Sequence, residues 1–84
     1  MRRWRYCVWA TAVREMVEYR KGDRWRLVIA FERIAEHPFA PDDEELKDIH
    51  GRDVYLRAAG RFVITYLEDF PIRRIEILAV RKTR

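Results

Sequence analysis

Apolar residues recur along the chain with two different periods, which divide it into a helical part and a strand part. Residues 4–9 alternate loosely and are rich in aromatic and β-branched side chains, which predicts a first strand. From Thr11 onward the apolar positions follow helical spacing, and Thr11 is the expected N-cap of the first helix. The apolar residues expected on this helix are Ala12, Val13, Met16 and Val17.

A second helix is predicted after Gly22 and Asp23, a pair typical of a helix end followed by a new N-cap. Pro38 ends this helix, because the residue before a proline is disfavoured in helical geometry. The pattern leaves open whether the two helices form a short hairpin or one bent helix. The apolar stripe expected on the second helix is Leu27, Val28, Phe31, Ile34 and Ala35.

The remaining chain predicts a loop over residues 38–43, a brief helical turn through Leu46 capped by Asp42 or Asp43, and then three strands. The strands are expected at residues 54–58, 61–67 and 72–80, with turns at residues 59–60 and 68–71. The element order is therefore β-α-α-β-β-β. This order predicts an α+β fold in which two N-terminal helices pack on a small antiparallel sheet.

Alternation along the strands assigns their side chains to two faces. Phe62, Ile64 and Tyr66 share one face, which we expect to pack under the helices. Arg57 and Arg61 are expected on outward faces, where they converge with the cations of the C-terminal tail. The last strand is apolar on both parities in its second half, which favours a central position in the sheet.

Two aromatic residues, Trp9 and Tyr55, are the candidates for a base-stacking ring at the outward surface, which is the less common of their two possible positions. A position in the core or at its rim is the commoner place for either residue type.

Length and composition predict a single domain over residues 1–84 with a real core, since 49% of the residues are hydrophobic. The single cysteine, Cys7, excludes an intramolecular disulfide framework and fits a reducing compartment. The apolar run near the N-terminus is too short to span a bilayer and has no convincing cleavage site. We therefore expect a cytoplasmic protein with no membrane partner.

The net charge is +4, but its distribution is more informative than its sum. Residues 35–50 carry six acidic side chains and one lysine, while the segments on either side are basic. Fifteen of the eighteen cations are arginine, which suits bidentate contacts to phosphate or carboxylate. This favours a phosphate-bearing or acidic partner, although simple solubility is the alternative explanation for such a surface.

The run GRDVYLRAAGRFVITYLE, residues 51–68, together with the element order, resembles the RelE/ParE superfamily of bacterial type II toxins. Residues 9–16 are similar to the family's junction between strand and first helix. Residues 75–82 are similar to its last strand, which ends in basic side chains. The resemblance covers nearly the whole chain and implies the β-α-α-β-β-β fold predicted above.

The resemblance implies a toxin held inactive by a cognate acidic antitoxin protein. RelE-like members bind the ribosome, cut mRNA and so inhibit translation, which implies endoribonuclease activity here. ParE-like members share the fold but bind DNA gyrase without nuclease residues, which is the first alternative. A non-toxic domain that binds nucleic acid or protein on the same scaffold is the second alternative.

The resemblance also implies site residues. Arg61, Arg81 and Lys82 are the expected catalytic residues, and RNA binding is expected from these three with Arg57 and Arg84. The family's arginine in its second hairpin strand falls on Val63 here, so Arg61 is expected to substitute for it. The tyrosine that often ends the nuclease branch is missing from this sequence.

Cleavage of RNA requires a proton acceptor and donor in addition to cations that stabilise the charged phosphorane. The sequence offers no strong candidate for the proton carrier. No metal-ligand spacing or phosphate-cradling glycine loop is present, so no cofactor is expected. The weak candidates for proton transfer are Lys82, His37, His50, Glu44, Glu45 and Glu76.

Overall fold

Two helices cover one face of a five-stranded sheet. The computed structural model describes residues 3–83. The elements follow in the order β1 (Arg5–Val8), α1 (Ala10–Val17), α2 (Lys21–Glu36), β2 (Glu44–Lys47), β3 (Asp53–Ala59), β4 (Phe62–Asp69) and β5 (Arg74–Lys82). Within the described part of the chain, neither helix is long and apolar enough to cross a membrane.

The strands lie in the order β1-β5-β4-β3-β2, so β5 occupies the internal position that its two apolar faces predicted. The predicted α+β class and helix-on-sheet packing are confirmed. The three predicted C-terminal strands pair antiparallel as expected, but the sheet as a whole is mixed, because β1 pairs with β5 in parallel. A parallel pair needs a long connection, and the helices with the β2–β4 meander provide it.

Residues 44–47 form the edge strand β2 rather than the predicted helical turn. Glu44 lies opposite Leu56, and Lys47 lies opposite Asp53, with which it forms an ion pair. Pairing with β3 overrides the local preference of glutamate, leucine and lysine for helix, because strand formation depends strongly on neighbouring strands.

The helix starts differ from the predicted ones. Helix α1 begins at Ala10 after the extended residue Trp9, and the Thr11 hydroxyl donates to Leu78 instead of capping the helix. Helix α2 begins at Lys21, so Asp23 lies in its first turn, where a carboxylate interacts favourably with the helix dipole. Gly22 therefore lies inside a helix, not between two helices. The predicted end before Pro38 is confirmed.

The core lies between the helices and β4 and β5. Phe62, Ile64 and Tyr66 are at most 2% exposed, which confirms their predicted inward face. On α2 the predicted stripe is confirmed, with Val28 only partly buried. On α1 only Ala12 is fully buried, and the prediction is wrong for Val13 and Val17, which are 46% and 66% exposed. Helix α1 is only eight residues long and packs on the sheet through a narrow stripe of apolar side chains.

Candidate nucleic-acid interface

Three of the predicted site residues meet at one end of the sheet, where the β3–β4 turn lies beside the end of β5. Gly60 adopts a φ of 60°, a left-handed conformation that glycine tolerates, and thereby reverses the chain before Arg61. The carbonyl of Arg61 accepts hydrogen bonds from the Thr83 backbone N–H at 2.6 Å and from the Thr83 hydroxyl at 2.8 Å. These bonds fix the tail of β5 against the turn.

Strand register places the cations of β5 beside this turn. Arg81 lies opposite Val63, and Lys82 lies opposite Phe62, which follows Arg61 directly. All three cationic residues are exposed. Directly opposed residues share a face, so Arg81 lies on the face of Val63 and Lys82 lies on the other face with Phe62. We call Arg61, Arg81 and Lys82 the cationic group, which lies at one end of the sheet. Arg84, the fifth residue predicted for RNA binding, lies outside the described residues.

Helix α1 and the residues that follow it lie along the edge of β5 that β1 leaves uncovered, and their polar side chains satisfy the backbone of that edge. The Thr11 hydroxyl donates to the Leu78 carbonyl at 2.8 Å, and the Tyr19 hydroxyl donates to the Val80 carbonyl at 3.1 Å. The Val80 N–H donates to Glu15 Oε1 at 2.9 Å. The three side chains recur every fourth residue, which is one face of a helix. They take the place of a neighbouring strand.

Glu15 and Tyr19 are functional candidates that the sequence reasoning missed. Glu15 Oε2 lies 3.8 Å from Arg81 Nε, so a carboxylate borders the cationic group. Burial, followed by the nearby Glu15 charge, raises the pKa of the Tyr19 hydroxyl, which stays protonated. The spacing of Thr11, Glu15 and Tyr19 was a usable signal, but it acquires meaning only once β5 is known to run beside α1.

Arg57 faces the helix side of the sheet, so its predicted outward orientation is wrong. It lies opposite Ile64, a core residue, and paired residues share a face. Its guanidinium donates to both carboxylate oxygens of Asp43, at 2.8 and 2.9 Å, and to the His37 carbonyl at 2.7 Å. The Asp43 side chain is only 3% exposed. Arg57 therefore holds the loop between α2 and β2 onto the sheet.

Tyr66 completes this network. Its hydroxyl donates to Asp43 and accepts from the Phe39 backbone N–H at 2.8 Å. Burial acts to raise the pKa of Asp43, but hydrogen bonds from Arg57 and Tyr66, with the Arg57 charge, outweigh it and lower that pKa below its ordinary value. Burial and the bond to Asp43 raise the pKa of Tyr66 well above its ordinary value. The charges are thus fixed as carboxylate, guanidinium and neutral phenol.

The two aromatic candidates lie in different surroundings. The ring of Tyr55 packs on Phe39 and Tyr66, with centroids 4.8 and 5.5 Å away, which is the core or rim position expected as the commoner one and not a base-stacking position. Trp9 remains 39% exposed, and its indole N–H donates to Glu76 at 2.7 Å. Trp9 is therefore the aromatic candidate that retains an accessible ring.

Of the predicted proton carriers, Lys82 belongs to the cationic group, but the histidines and glutamates do not join it. His50 lies before β3, at the opposite end of that strand from Gly60, which separates it from the cations by about 23 Å. His37 ends α2 and binds Arg57 through its carbonyl. Glu44 and Glu45 lie on the exposed edge strand β2. Glu76 is only 5% exposed, and Trp9 and Arg74 bind its two oxygens.

No protein-family profile and no curated protein sequence matches this chain. Among solved structures it is similar to a chain of the RelE–RelB complex from Pyrococcus horikoshii, at 15% identity and a TM-score of 0.76, with 96% of each chain covered. It is also similar to a chain of the toxin–antitoxin complex RelBE2 from Mycobacterium tuberculosis, at 18% identity and a TM-score of 0.80, with 98% and 99% covered. At these identities the likeness establishes the fold, so the predicted RelE-type fold is confirmed.

Proposed function

We propose that this chain is the toxin of a type II toxin–antitoxin pair and acts in the cytoplasm, bound by an acidic antitoxin until released. One observation carries the proposal: the fold matches chains of two RelE toxin–antitoxin complexes over almost the whole length of each. The basic net charge and the surplus of arginine support a partner rich in carboxylates or phosphates.

We further propose that the toxin is a ribosome-dependent mRNA endonuclease and that Arg61, Arg81 and Lys82 contact the RNA. Attack by the 2′-hydroxyl adds negative charge to the oxygens around the phosphorus atom, and fixed cations stabilise that charge. The support is their shared position at the end of the sheet, where the Thr83 bonds hold the turn. We propose RNA binding for Arg84 as well.

Because Val63 occupies the position of the family's strand arginine, the proposal requires that another residue of the sheet supply this positive charge. Arg81 is its cross-strand neighbour and has a side chain that is 79% exposed, so its guanidinium can reach the space above Val63. Arg57, in contrast, would have to leave two carboxylate hydrogen bonds to contact RNA. The proposed catalytic cations are therefore Arg61, Arg81 and Lys82, with Arg57 supporting the fold beneath them.

Glu15 supplies a candidate acceptor for the proton of the 2′-hydroxyl. It borders Arg81, and its side chain is 31% exposed, so it is reachable from solvent. The Val80 N–H donates to Glu15 Oε1. The other oxygen, Oε2, which lies beside Arg81, is therefore the one that would accept the proton. This assignment replaces the histidines predicted from sequence, which lie elsewhere.

The nuclease proposal is tested by inducing the chain in growing cells and mapping mRNA ends. Wild type should arrest growth and produce new ends inside translated regions. Arg61→Ala and Arg81→Ala should each lower cleavage by about a hundredfold, the order expected for one lost charge-stabilising contact. Arg14→Ala, an exposed arginine on α1, is the matched control and should cleave like wild type. Unchanged cleavage in both site variants would refute the site assignment.

A binding-only toxin acting on DNA gyrase is the second candidate function. The observation that favours it is the replacement of the expected strand arginine by Val63, with no histidine beside the cations. Growth arrest with intact transcripts, altered plasmid supercoiling and a DNA-damage response would support it over the nuclease. Harmless expression of the folded chain would contradict both toxin proposals and favour a non-toxic binding domain.

A further inference from the structure

Strand β2 is one edge of the sheet, and within residues 3–83 no strand lies beyond it. Its residues, Glu44–Lys47, are all exposed, and they contain no proline and no bulge in their pairing with β3. Such an edge offers unpaired backbone N–H and C=O groups to another strand. Charged side chains commonly protect native edges, so the charges of β2 determine which strand it can accept.

The backbone groups that face this free edge belong to Glu45 and Lys47. The Asp48 N–H donates to the Arg52 carbonyl at 2.9 Å, which makes these two residues a hydrogen-bonded pair that continues the β2–β3 ladder. Hydrogen-bonded pairs alternate along an antiparallel ladder, so Leu46, two residues before Asp48, also turns its backbone groups toward β3. The backbone groups of Glu45 and Lys47 therefore point away from β3 and are available to a further strand.

These groups allow a second β2 to pair antiparallel with the first, and charge selects the register. A two-fold axis at Glu45 places two glutamates opposite each other, and an axis at Lys47 places two lysines opposite each other. An axis at Leu46 instead places Glu45 of each copy opposite Lys47 of the other. Directly opposed like charges destabilise a strand pair and opposite charges stabilise it, so the sequence favours the axis at Leu46.

An axis at Leu46 also covers apolar surface. Leu46 is 41% exposed and lies opposite Val54, on the face of the sheet that the helices leave open. In this register the two Leu46 side chains form a non-hydrogen-bonded pair, which is the closer of the two kinds, with Cα atoms about 4.5 Å apart. Each leucine is thus covered by its counterpart.

The acidic residues around β2 do not prevent this contact, because arginines already neutralise two of them. Arg57 donates to both carboxylate oxygens of Asp43, and Arg52 Nε lies 2.6 Å from Asp48 Oδ2. In this register Glu44 lies opposite Asp48 of the second copy, which is a carboxylate that Arg52 neutralises.

On the helix side of the sheet, the pairing extends an existing row of charges. Lys47 already forms an ion pair with Asp53 of β3, and a second copy adds its Glu45 on the other side of that lysine. The other edge strand, β1, carries Arg5 as its one charge, so two β1 strands bring no opposite charges together. Charge complementarity therefore favours β2 as the edge that accepts a second copy.

We propose that β2 pairs antiparallel with β2 of a second copy of this chain, around a two-fold axis at Leu46, and so joins two five-stranded sheets into one. Opposed residues share a face, so both copies keep their helices on the same side. One short strand from each copy makes an interface smaller than roughly 1,200 Å², the size class of weak and reversible complexes. The cationic group, beyond β3, stays open, so the dimer is independent of the toxin function.

The charge pairing is tested by sedimentation velocity of the purified full chain at concentrations up to about 1 mM. Wild type should show a reversible equilibrium between monomer and dimer. E45K and K47E each oppose like charges and should each weaken the dimer at least about tenfold. An equimolar mixture of E45K and K47E should dimerise within about threefold of wild type, because both pairs again carry opposite charges.

The controls E18K and K21E make the same charge changes at exposed positions near the helix ends and should leave the wild-type equilibrium unchanged. Monomer at every concentration, open polymers in place of a dimer, or undiminished dimerisation of either single variant would overturn the proposal. So would a mixture of folded E45K and K47E that stays monomeric. Circular dichroism identifies whether the variants fold, and if one does not, the register test below decides.

The register is tested in a Cys7→Ser background. L46C places two thiols at the axis, where a Cα separation of about 4.5 Å suits a disulfide, so oxidised glutathione should produce a covalent dimer. E44C is the matched control on the same face. Its counterpart is about 14 Å away along the paired strands, so it should stay monomeric. Absence of the L46C dimer, or equal cross-linking of E44C, would contradict the pairing.

Discussion

At the scale of single residues, Asp43 is the side chain whose partners determine the most structure. Its two carboxylate oxygens accept hydrogen bonds from Arg57, and one of them also accepts from the Tyr66 hydroxyl. Asp43 lies in the loop before β2, whereas Arg57 and Tyr66 lie on two neighbouring strands. A buried carboxylate that lost these donors would be expensive to keep ionised. The network is thus a cross-link between loop and sheet made of one ion pair and the hydrogen bonds around it.

Asp43→Ala is expected to lower the free energy of unfolding by about 3 kcal/mol, because Arg57 and Tyr66 lose their shared acceptor. The Arg57 side chain is 16% exposed, so water partly compensates and the loss stays at the low end for buried pairs. Urea denaturation measures it. Asp42→Ala, an exposed neighbour, is the control and should stay within about 0.5 kcal/mol of wild type. Equal losses in the two variants would contradict the network.

The same carboxyl makes stability depend on pH. The pKa of Asp43 is lower in the folded chain than in the unfolded one, against the opposing effect of its burial. Its contribution is therefore fully present above its unfolded pKa, near 3.9, and is lost as the pH falls through the folded value. Urea midpoints between about pH 5 and pH 2 should fall more steeply for wild type than for Asp43→Asn. Parallel profiles would be inconsistent with this assignment.

Arg57 illustrates what alternation can and cannot predict. The sequence correctly separates Arg57 and Tyr55 from Leu56, since side chains alternate along a strand. It does not reveal which set faces the helices, because that depends on the register with β4. Apolar Val54 and Leu56 favoured the wrong choice. The deciding partner, Asp43, is 14 residues away and lies in a loop.

At the scale of elements, α1 protects the free edge of β5. Exposed strand edges invite pairing with other chains, and proteins cover them by several devices. Here Thr11 and Glu15 on the helix provide a hydroxyl and a carboxylate to the strand backbone, and Tyr19, two residues beyond the helix end, provides a phenol. This arrangement explains why α1 contributes so little to the core.

Glu15→Ala is expected to accelerate hydrogen exchange of the Val80 amide by at least about tenfold, because a bond from an amide to a charged group contributes about 1.5–3 kcal/mol. Amide exchange followed by NMR measures the effect residue by residue. Glu18→Ala removes an exposed carboxylate from the end of the same helix and should leave Val80 unchanged. Protection of Val80 in both variants would mean that the edge is held without Glu15.

The existence and type of most elements could be predicted, whereas pairing partners and helix starts could not. The α2 stripe and the Phe62 face follow from strong periodicity, which local sequence carries. The strand at residues 44–47 has no such signal, since it exists through β3. The predicted start of α1 was wrong for a related reason, because the Thr11 hydroxyl donates to the carbonyl of Leu78 on a distant strand instead of capping its own helix.

At the scale of the whole molecule, the acidic segment lies apart from the cationic group. Strand β2 is three strands from β5, a lateral distance of about 14 Å. The Debye length at physiological ionic strength is about 8 Å, so exposed charges at that distance interact weakly. The acidic segment therefore leaves the cations available to a phosphate ligand.

RNA binding by the proposed site should weaken with salt, with a slope of about 0.7 per phosphate contact for a single strand. Arg81→Ala should reduce the slope of log affinity against log salt by about 0.7, since it removes one contact. The control, Glu44→Gln with Glu45→Gln, changes two charges on β2 and should leave the slope unaltered. Fluorescence titration of a labelled RNA at several salt concentrations provides the measurement. A slope unchanged by Arg81→Ala would remove that residue from the interface.

The parallel pair of β1 and β5 has a kinetic consequence. Its two strands are about 70 residues apart along the chain, whereas β3, β4 and β5 are joined by short turns. Closing so long a loop opposes pairing by about 4 kcal/mol of chain entropy, so the local hairpins can form before β1 arrives. Trp9 follows β1 and donates to Glu76 on β5. We expect that carboxylate to stay hydrated until the first strand docks, so that its desolvation is a late event and β1 is the strand that completes the sheet.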